Sequence, residues 1–158
     1  MKQHFTEGHQ VRMALAETAA GTSTITSGII DTKSLGNFGS CCFIVRIATD
    51  AANNIVTVQH SDTVDGTTGA STNGVITGAT ALSTDIAGSS MEATASGDSI
   101  VYDLRNCTKR YLQLKVTRGT STALGTIYAV LYNPQDHPVS TPANIIVEQH
   151  NAALSGTA

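Results

Sequence analysis

The segment KRYLQLKVTR, from Lys109 to Arg118, alternates between apolar and polar residues along most of its length. Successive side chains of a β-strand point to opposite faces of the sheet, whereas a helix repeats about every 3.6 residues, so this alternation predicts a half-buried strand. We expect one set of residues to point inward, Leu112, Leu114 and Val116, and the other to point outward, Tyr111, Gln113 and Lys115.

Other segments rich in β-branched and aromatic residues predict strands over 23–31, 41–48, 54–60, 98–104 and 124–132. Within CCFIVRIA (41–48), Phe43, Val45 and Ile47 share one face. The short linkers 50–53 and 119–123 predict two hairpins, one joining 41–48 to 54–60 and the other joining 109–118 to 124–132. The 124–132 strand is apolar on both faces, which predicts a central position in its sheet.

The chain has 158 residues, which suits one domain with extended ends. Residues 1–21 predict an N-terminal arm outside the sandwich, and residues 134–158, with three prolines that interrupt hydrogen-bonded structure, predict an extended tail. Between them, the Thr-, Ser-, Gly- and Ala-rich stretch 61–97 predicts a long excursion with one or two short strands. Many short strands without a long helix predict an all-β fold over 22–133, a jelly-roll-like antiparallel β-sandwich or barrel.

Only 13% of the residues are charged, about half the usual share of ~25%, which favours a surface partly covered by neighbouring proteins. The formal net charge is −3 and no basic run is present, which argues against nucleic acid as a direct partner. Arg12 and Glu17 interrupt the apolar N-terminal stretch, and no run reaches transmembrane length, so we expect neither a signal peptide nor a membrane partner. We therefore expect synthesis in the cytoplasm, where thiols stay reduced.

The stretch 99–139 resembles the decoration, or cement, proteins of tailed bacteriophages. The resemblance lies in a strand ending at an acidic residue, a short turn, the KRYL strand (Lys109–Leu112), a Thr/Gly turn, and an apolar strand with a proline-containing exit. The segments TITSGIIDT (24–32) and VTVQHSDTVDG (56–66) resemble the opening strands of the same family.

This resemblance implies a virion protein on the outer capsid surface, where it would bind the major capsid protein, associate as a homotrimer and stabilise the expanded shell against DNA pressure. The alternative is a glycan- or receptor-binding jelly-roll module of a head fibre or tail. Such modules use aromatic stacking surfaces, whereas aromatic residues make up 4% of this chain and Trp is absent.

No catalytic, cofactor-binding or metal-binding residue is predicted, and the protein is not expected to be an enzyme. The adjacent Cys41 and Cys42 would point to opposite faces of one strand, so we interpret them as a buried and a half-exposed thiol. A bond from either one to Cys107 is left open by the sequence. The histidines are scattered and form no metal-ligand spacing: His4, His9, His60, His137 and His150.

Two charged groups have competing interpretations. Asp62 and Asp65 lie in a short loop that lacks the spacing of a calcium site, so we interpret the loop as a turn. The basic residues near one predicted hairpin are either a patch for an acidic capsid surface or ordinary solvated charge: Lys109, Arg110, Lys115 and Arg118.

Overall fold

The computed structural model describes residues 8–34, 36–49, 53–64, 74–76, 79–93, 95–119 and 121–135. The described residues form two six-stranded antiparallel sheets. The strands are, in chain order, β1 (His9–Leu15), β2 (Thr18–Gly21), β3 (Ile25–Thr26), β4 (Ile29–Asp31), β5 (Phe38–Thr49), β6 (Asn54–Ser61), β7 (Val75–Ile76), β8 (Met91–Ala93), β9 (Ser99–Leu104), β10 (Tyr111–Thr117), β11 (Thr122–Leu124) and β12 (Ile127–Pro134).

The chain crosses repeatedly from one sheet to the other. The first sheet has the order β1-β12-β5-β11-β2, with β9 on the other side of β5, and the second has the order β7-β4-β10-β6-β8, with β3 also on β10. Strands β1 and β12 are therefore neighbours in the first sheet. Between β5 and β9, both in the first sheet, the chain forms β6, β7 and β8 of the second sheet. This interleaved strand order is that of a jelly roll, so the predicted all-β, jelly-roll-like sandwich is confirmed.

Both predicted hairpins are wrong, although the strands themselves form. Strand β5 pairs with β9, β11 and β12, whereas β6 pairs with β8 and β10 in the opposite sheet. Likewise β10 and β12 belong to different sheets. In a jelly roll, strands that follow one another in the sequence face each other across the core, which a local turn signal does not reveal. The predicted central position of 124–132 is confirmed by β12, which lies between β1 and β5.

The core lies between the inner faces of the two sheets. The inward residues predicted for β10, Leu112, Leu114 and Val116, and those predicted to share a face of β5, Phe43, Val45 and Ile47, are all buried in it. Gln113 was predicted to point to solvent but is also buried. Its amide Nε2 donates to Ser27 O (2.7 Å) and its Oε1 accepts from Leu82 N (2.8 Å), because the chain around Leu82 covers that face of β10.

The predicted N-terminal arm over 1–21 is wrong for residues 9–21. Strand β1 pairs with β12 from His9↔Tyr132 to Leu15↔Ile127, and β2 pairs with β11. The inward side chains of β1 are Gln10, Arg12 and Ala14, and this polar inner face hides the alternation that would have indicated a strand. Residues 1–7 lie outside the described part of the chain.

Two further expectations concern the middle and the end of the chain. Within 61–97, the described residues include the short strands β7 and β8, as predicted. The 23–31 strand is divided into β3 and β4 by Ser27 and Gly28, where Gly28 N donates across to Ala14 O (2.8 Å) of β1. Strand β12 ends at Pro134, and the predicted tail beyond Gln135 lies outside the described residues.

Candidate interaction surface

A row of large apolar side chains crosses the outer face of the first sheet. The register pairs Met13 with Tyr128, Tyr128 with Ile44, and Ile44 with Val101, so one side chain comes from each of four neighbouring strands. Directly opposite residues of antiparallel strands point to the same face, and Cβ atoms of such pairs are about 5 Å apart. Their exposed fractions are 41% for Met13, 40% for Tyr128, 38% for Ile44 and 58% for Val101. We call these four residues the apolar row.

A second line of residues borders the apolar row on the same face. Val11 pairs with Val130, which pairs with Cys42, and Cys42 pairs with Asp103. The first three are half-buried, so the apolar surface is two residues deep along each of β1, β12 and β5. Contiguous exposed apolar surface of this kind is typical of interaction sites.

Polar side chains enclose one end of this surface. His9 stacks on Tyr132 with ring centroids 6.2 Å apart, and the Tyr132 hydroxyl donates to Asp103 Oδ1. Asp103 Oδ2 also accepts from Arg105 Nε at 3.2 Å. These contacts lower the pKa of the Asp103 carboxyl, chiefly through the Tyr132 hydrogen bond. An apolar centre with a polar edge is the usual anatomy of a protein interface.

The cysteines occupy the positions expected for structural residues. Cys41 is buried and Cys42 is half-buried, so the interpretation of one buried and one half-exposed thiol is confirmed. All three cysteines are free thiols, and Cys107 donates weakly to Leu104 O (3.7 Å). Burial raises the pKa of each thiol, most strongly that of Cys41, which keeps the thiolate fraction low at neutral pH.

A polar cleft of about 310 Å³ lies between residues 32–33 and 37–39 on one side and the 107–110 loop on the other. Its charged lining residues are Lys33, Asp62, Lys109 and Arg110. Lys109 Nζ forms an ion pair with Asp62. This hydrogen bond is the main reason that the pKa of Asp62 is lowered, and the charges of Lys109 and Lys33 lower it further.

A buried polar network lies behind the cleft. Arg110 binds Asp31 through two parallel bonds, Nε to Oδ1 at 2.9 Å and Nη2 to Oδ2 at 2.8 Å. The fully buried Arg12 donates to Asp31 O (3.1 Å), to Ser34 O (2.9 Å) and to Gln10 Oε1. Burial lowers the pKa of Arg12 to about 10, so the guanidinium is still charged at neutral pH.

The basic residues considered in the sequence do not form one patch. Lys109 and Arg110 meet at the cleft, where Lys33 joins them. Lys115 binds Asp85 (3.1 Å) instead, and Arg118 is buried and donates to Ser23 O, Ala19 O and Thr122 O. Arg118 therefore links the 19–23 segment to β11 from a buried position, so neither a common patch nor solvated charge describes all four residues.

The remaining candidate residues are dispersed. His9 lies in β1 and His60 in β6, while His4, Asp65, His137 and His150 fall outside the described residues. Across the described ranges, no group of His, Cys, Asp and Glu side chains is arranged to hold a metal ion. In the same ranges, no helix is long and apolar enough to span a membrane.

Sequence reasoning missed the apolar row and the contribution of Lys33 to the cleft. The signal for Ile44 and Val101 was available, since both occupy the outward phase of their strands. What was missing was the register, because only the pairing of β9, β5, β12 and β1 shows that these outward residues are adjacent.

No protein-family model matches the sequence, and no curated protein matches it. The structure is similar to that of the tobacco streak virus coat protein at a TM-score of 0.41 and 12% sequence identity. The alignment covers 94% of this chain and 99% of the coat protein chain. The jelly-roll assignment made above rests on the strand order and pairing of this chain itself.

Proposed function

We propose that this chain is a structural protein of a virion, and more specifically that it decorates the outer surface of a tailed-phage capsid and stabilises the expanded shell. The jelly-roll fold alone does not carry this proposal, because the same fold hosts many functions. The observation that carries it is the apolar row on the outer face of the first sheet, which leaves Met13, Tyr128, Ile44 and Val101 open to contact with another protein.

The position of the apolar row suits a rigid docking surface. Each of its side chains projects from a strand that is paired on the sheet, and the opposite face of the same strands is buried in the core. A preorganised surface loses little conformational entropy when it is covered. The low share of charged residues, 13%, is a second feature that favours contact with protein over exposure to water.

A ligand that binds only the expanded lattice stabilises that lattice by mass action. Each copy needs only a modest interface, about 800 Å² per partner, because many copies act on the same shell. The major capsid protein is the proposed partner, and the resemblance to decoration proteins adds the proposal of a homotrimer. The trimer would have three times the chain mass of 16.4 kDa in light scattering.

The test is cosedimentation of the purified chain with expanded capsids from a virus strain that lacks this gene. We expect saturable, stoichiometric binding. We also expect Val101→Lys or Ile44→Lys to weaken it at least tenfold, because a buried lysine in the contact would lose its hydration. The matched control is Ile55→Lys, at a residue of 41% exposure in β6 of the other sheet, which should bind normally.

The proposal would be overturned if the folded chain bound neither expanded nor unexpanded capsids. It would also be overturned by saturable binding to host glycans that persists in Val101→Lys, which would favour a receptor-binding module. Circular dichroism of each variant confirms that the sheet is intact before its binding is interpreted.

A further inference from the structure

We propose that the polar cleft formed by Lys33, Lys109 and Arg110 binds the carboxylate groups of an acidic segment on a partner protein. The inference rests on the proposed function in one respect, since that function supplies the partner, the capsid subunit. The geometry and charge of the cleft do not depend on the apolar row, because no residue of the row lines the cleft.

Positive charge is in excess at the cleft. The cleft and the network behind it bring together four cationic side chains, Arg12, Lys33, Lys109 and Arg110, and two carboxylates, Asp31 and Asp62. Two positive charges are therefore in excess there, on a chain whose formal net charge is −3. Arg110 binds the Asp31 carboxylate directly, whereas Arg12 donates to the main-chain oxygen of Asp31 and is attracted to the same carboxylate only through space.

Arg110 and Lys33 offer hydrogen-bond donors at the cleft. The bidentate contact with Asp31 uses Nε and Nη2 of Arg110 and holds the guanidinium in place, while 44% of the side chain stays exposed. Within the described ranges, Lys33 has no ion-pair partner closer than 4 Å. A fixed guanidinium beside two ammonium groups is a favourable receptor for carboxylates, because charge-assisted hydrogen bonds are the strongest kind.

The size of the cleft favours carboxylates over nucleic acid as the bound anion. The cleft, of about 310 Å³, holds a few carboxylates, whereas nucleic acid requires an extended basic footprint that a chain of pI near 5.9 does not provide. Gly39 borders the cleft, and Ile44 of the apolar row lies further along β5, about 17 Å away at roughly 3.4 Å per residue. This separation is within the span of one partner surface of ordinary size.

The experiment is an NMR titration of the isotopically labelled full chain with a hexaglutamate peptide at low and high salt. We expect shifts at the backbone amides of residues 33 and 108–110, and affinity that falls as salt is added. Lys33→Gln and Lys109→Gln should each weaken peptide binding about fivefold. Lys115→Gln is the matched control, because it removes the same charge from another surface ion pair, with Asp85, and should leave the affinity unchanged.

Three outcomes would each overturn this inference. The first is the absence of chemical-shift changes at the cleft, and the second is an equal loss of peptide affinity in Lys115→Gln. The third is tighter binding of a short oligonucleotide or of inorganic phosphate at the same residues. The capsid cosedimentation assay separates it from the proposed function. If Lys33→Gln and Lys109→Gln bind capsids normally while Val101→Lys does not, the proposed decoration function is supported. The cleft then has no part in capsid binding.

Discussion

Gly74 lies directly against the guanidinium of Arg12, and a methyl group added at Gly74 would overlap its Nη1 atom and central carbon. The backbone of Gly74 has a φ of +69°, and its carbonyl accepts a hydrogen bond from Asp31 N at 2.8 Å. Gly74 thus lets the chain pass close to the buried guanidinium of Arg12, and its carbonyl also fixes the backbone of Asp31. Both requirements, space and left-handed backbone, are met by glycine alone.

Gly74→Ala is therefore expected to destabilise the protein by about 3 kcal/mol, from the left-handed conformation and the displaced guanidinium together. Gly88→Ala separates the two causes, because Gly88 has a similar φ of +76° but no atom within 4 Å of an added methyl group. Its expected cost is about 1 kcal/mol. Urea unfolding of both variants measures the difference, and equal losses would contradict the role of Arg12.

A pair of buried threonines tests how far hydrogen bonding stabilises this sandwich. The Thr57 hydroxyl oxygen is buried and has no hydrogen-bond partner among the described residues, whereas Thr122 Oγ1 donates to Asn54 Oδ1 at 2.6 Å. Thr57→Val should raise the free energy of unfolding by about 1 kcal/mol, because it removes a buried polar group that has no partner in the described part of the chain. Thr122→Val should lower it by about 1 kcal/mol, because Asn54 Oδ1 loses the Thr122 hydrogen bond and keeps the one from Gly119 N. Thermal or urea unfolding gives both values, and changes of the same sign would contradict the interpretation.

The sequence predicted the fold class through local alternation. Leu112, Leu114 and Val116 in β10, like Phe43 in β5, point inward as their spacing indicates, because a strand with one buried face must alternate. The same logic failed for β1, whose inner face carries Gln10 and Arg12. These polar residues are buried because Asp31 O and Ser34 O accept the hydrogen bonds of Arg12, and those atoms are about twenty residues away in the sequence.

Long-range strand pairing also limits how much of the apolar row can be predicted from the sequence. Met13, Tyr128, Ile44 and Val101 come from four distant parts of the chain, and their adjacency depends on the registers of β1, β12, β5 and β9. Turn signals suggested hairpins between successive strands, but the hydrophobic faces of β5 and β6 pack across the core from opposite sheets. A pattern read along one strand cannot distinguish these two arrangements.

Gln113 connects β10 to two loops through its side-chain amide. Gln113→Leu would leave Leu82 N and Ser27 O buried without their partners, so we expect a loss of about 3 kcal/mol. The Leu82 amide should also exchange its hydrogen faster, since its acceptor is gone. Lys115→Leu, two residues along the same strand, removes only a surface ion pair and should cost less than about 1 kcal/mol. Unchanged exchange at Leu82 would show that the amide does not hold this segment.

The hydrogen bond from the Tyr132 hydroxyl to Asp103 predicts a specific pH dependence. It is the main reason that the pKa of Asp103 lies below the ordinary value of 3.8, with Arg105 adding a smaller effect in the same direction. A carboxyl whose pKa is lowered by folding stabilises the protein fully above its unfolded pKa, and this contribution disappears as the pH falls through the folded pKa. The stability difference between the native protein and Tyr132→Phe should therefore be constant from neutral pH to about pH 5 and should narrow below 3.8.

Carbon-13 NMR of the Asp103 carboxyl tests the same bond directly. In Tyr132→Phe its pKa should rise toward 3.8, because the carboxylate loses its principal donor. Tyr128→Phe removes a hydroxyl from the same strand and the same outer face, at a residue that pairs with Met13 and Ile44 rather than with Asp103, and should leave the Asp103 pKa in place. If both variants moved it equally, the cause would be a general change of the sheet surface and not the loss of the Tyr132 hydrogen bond.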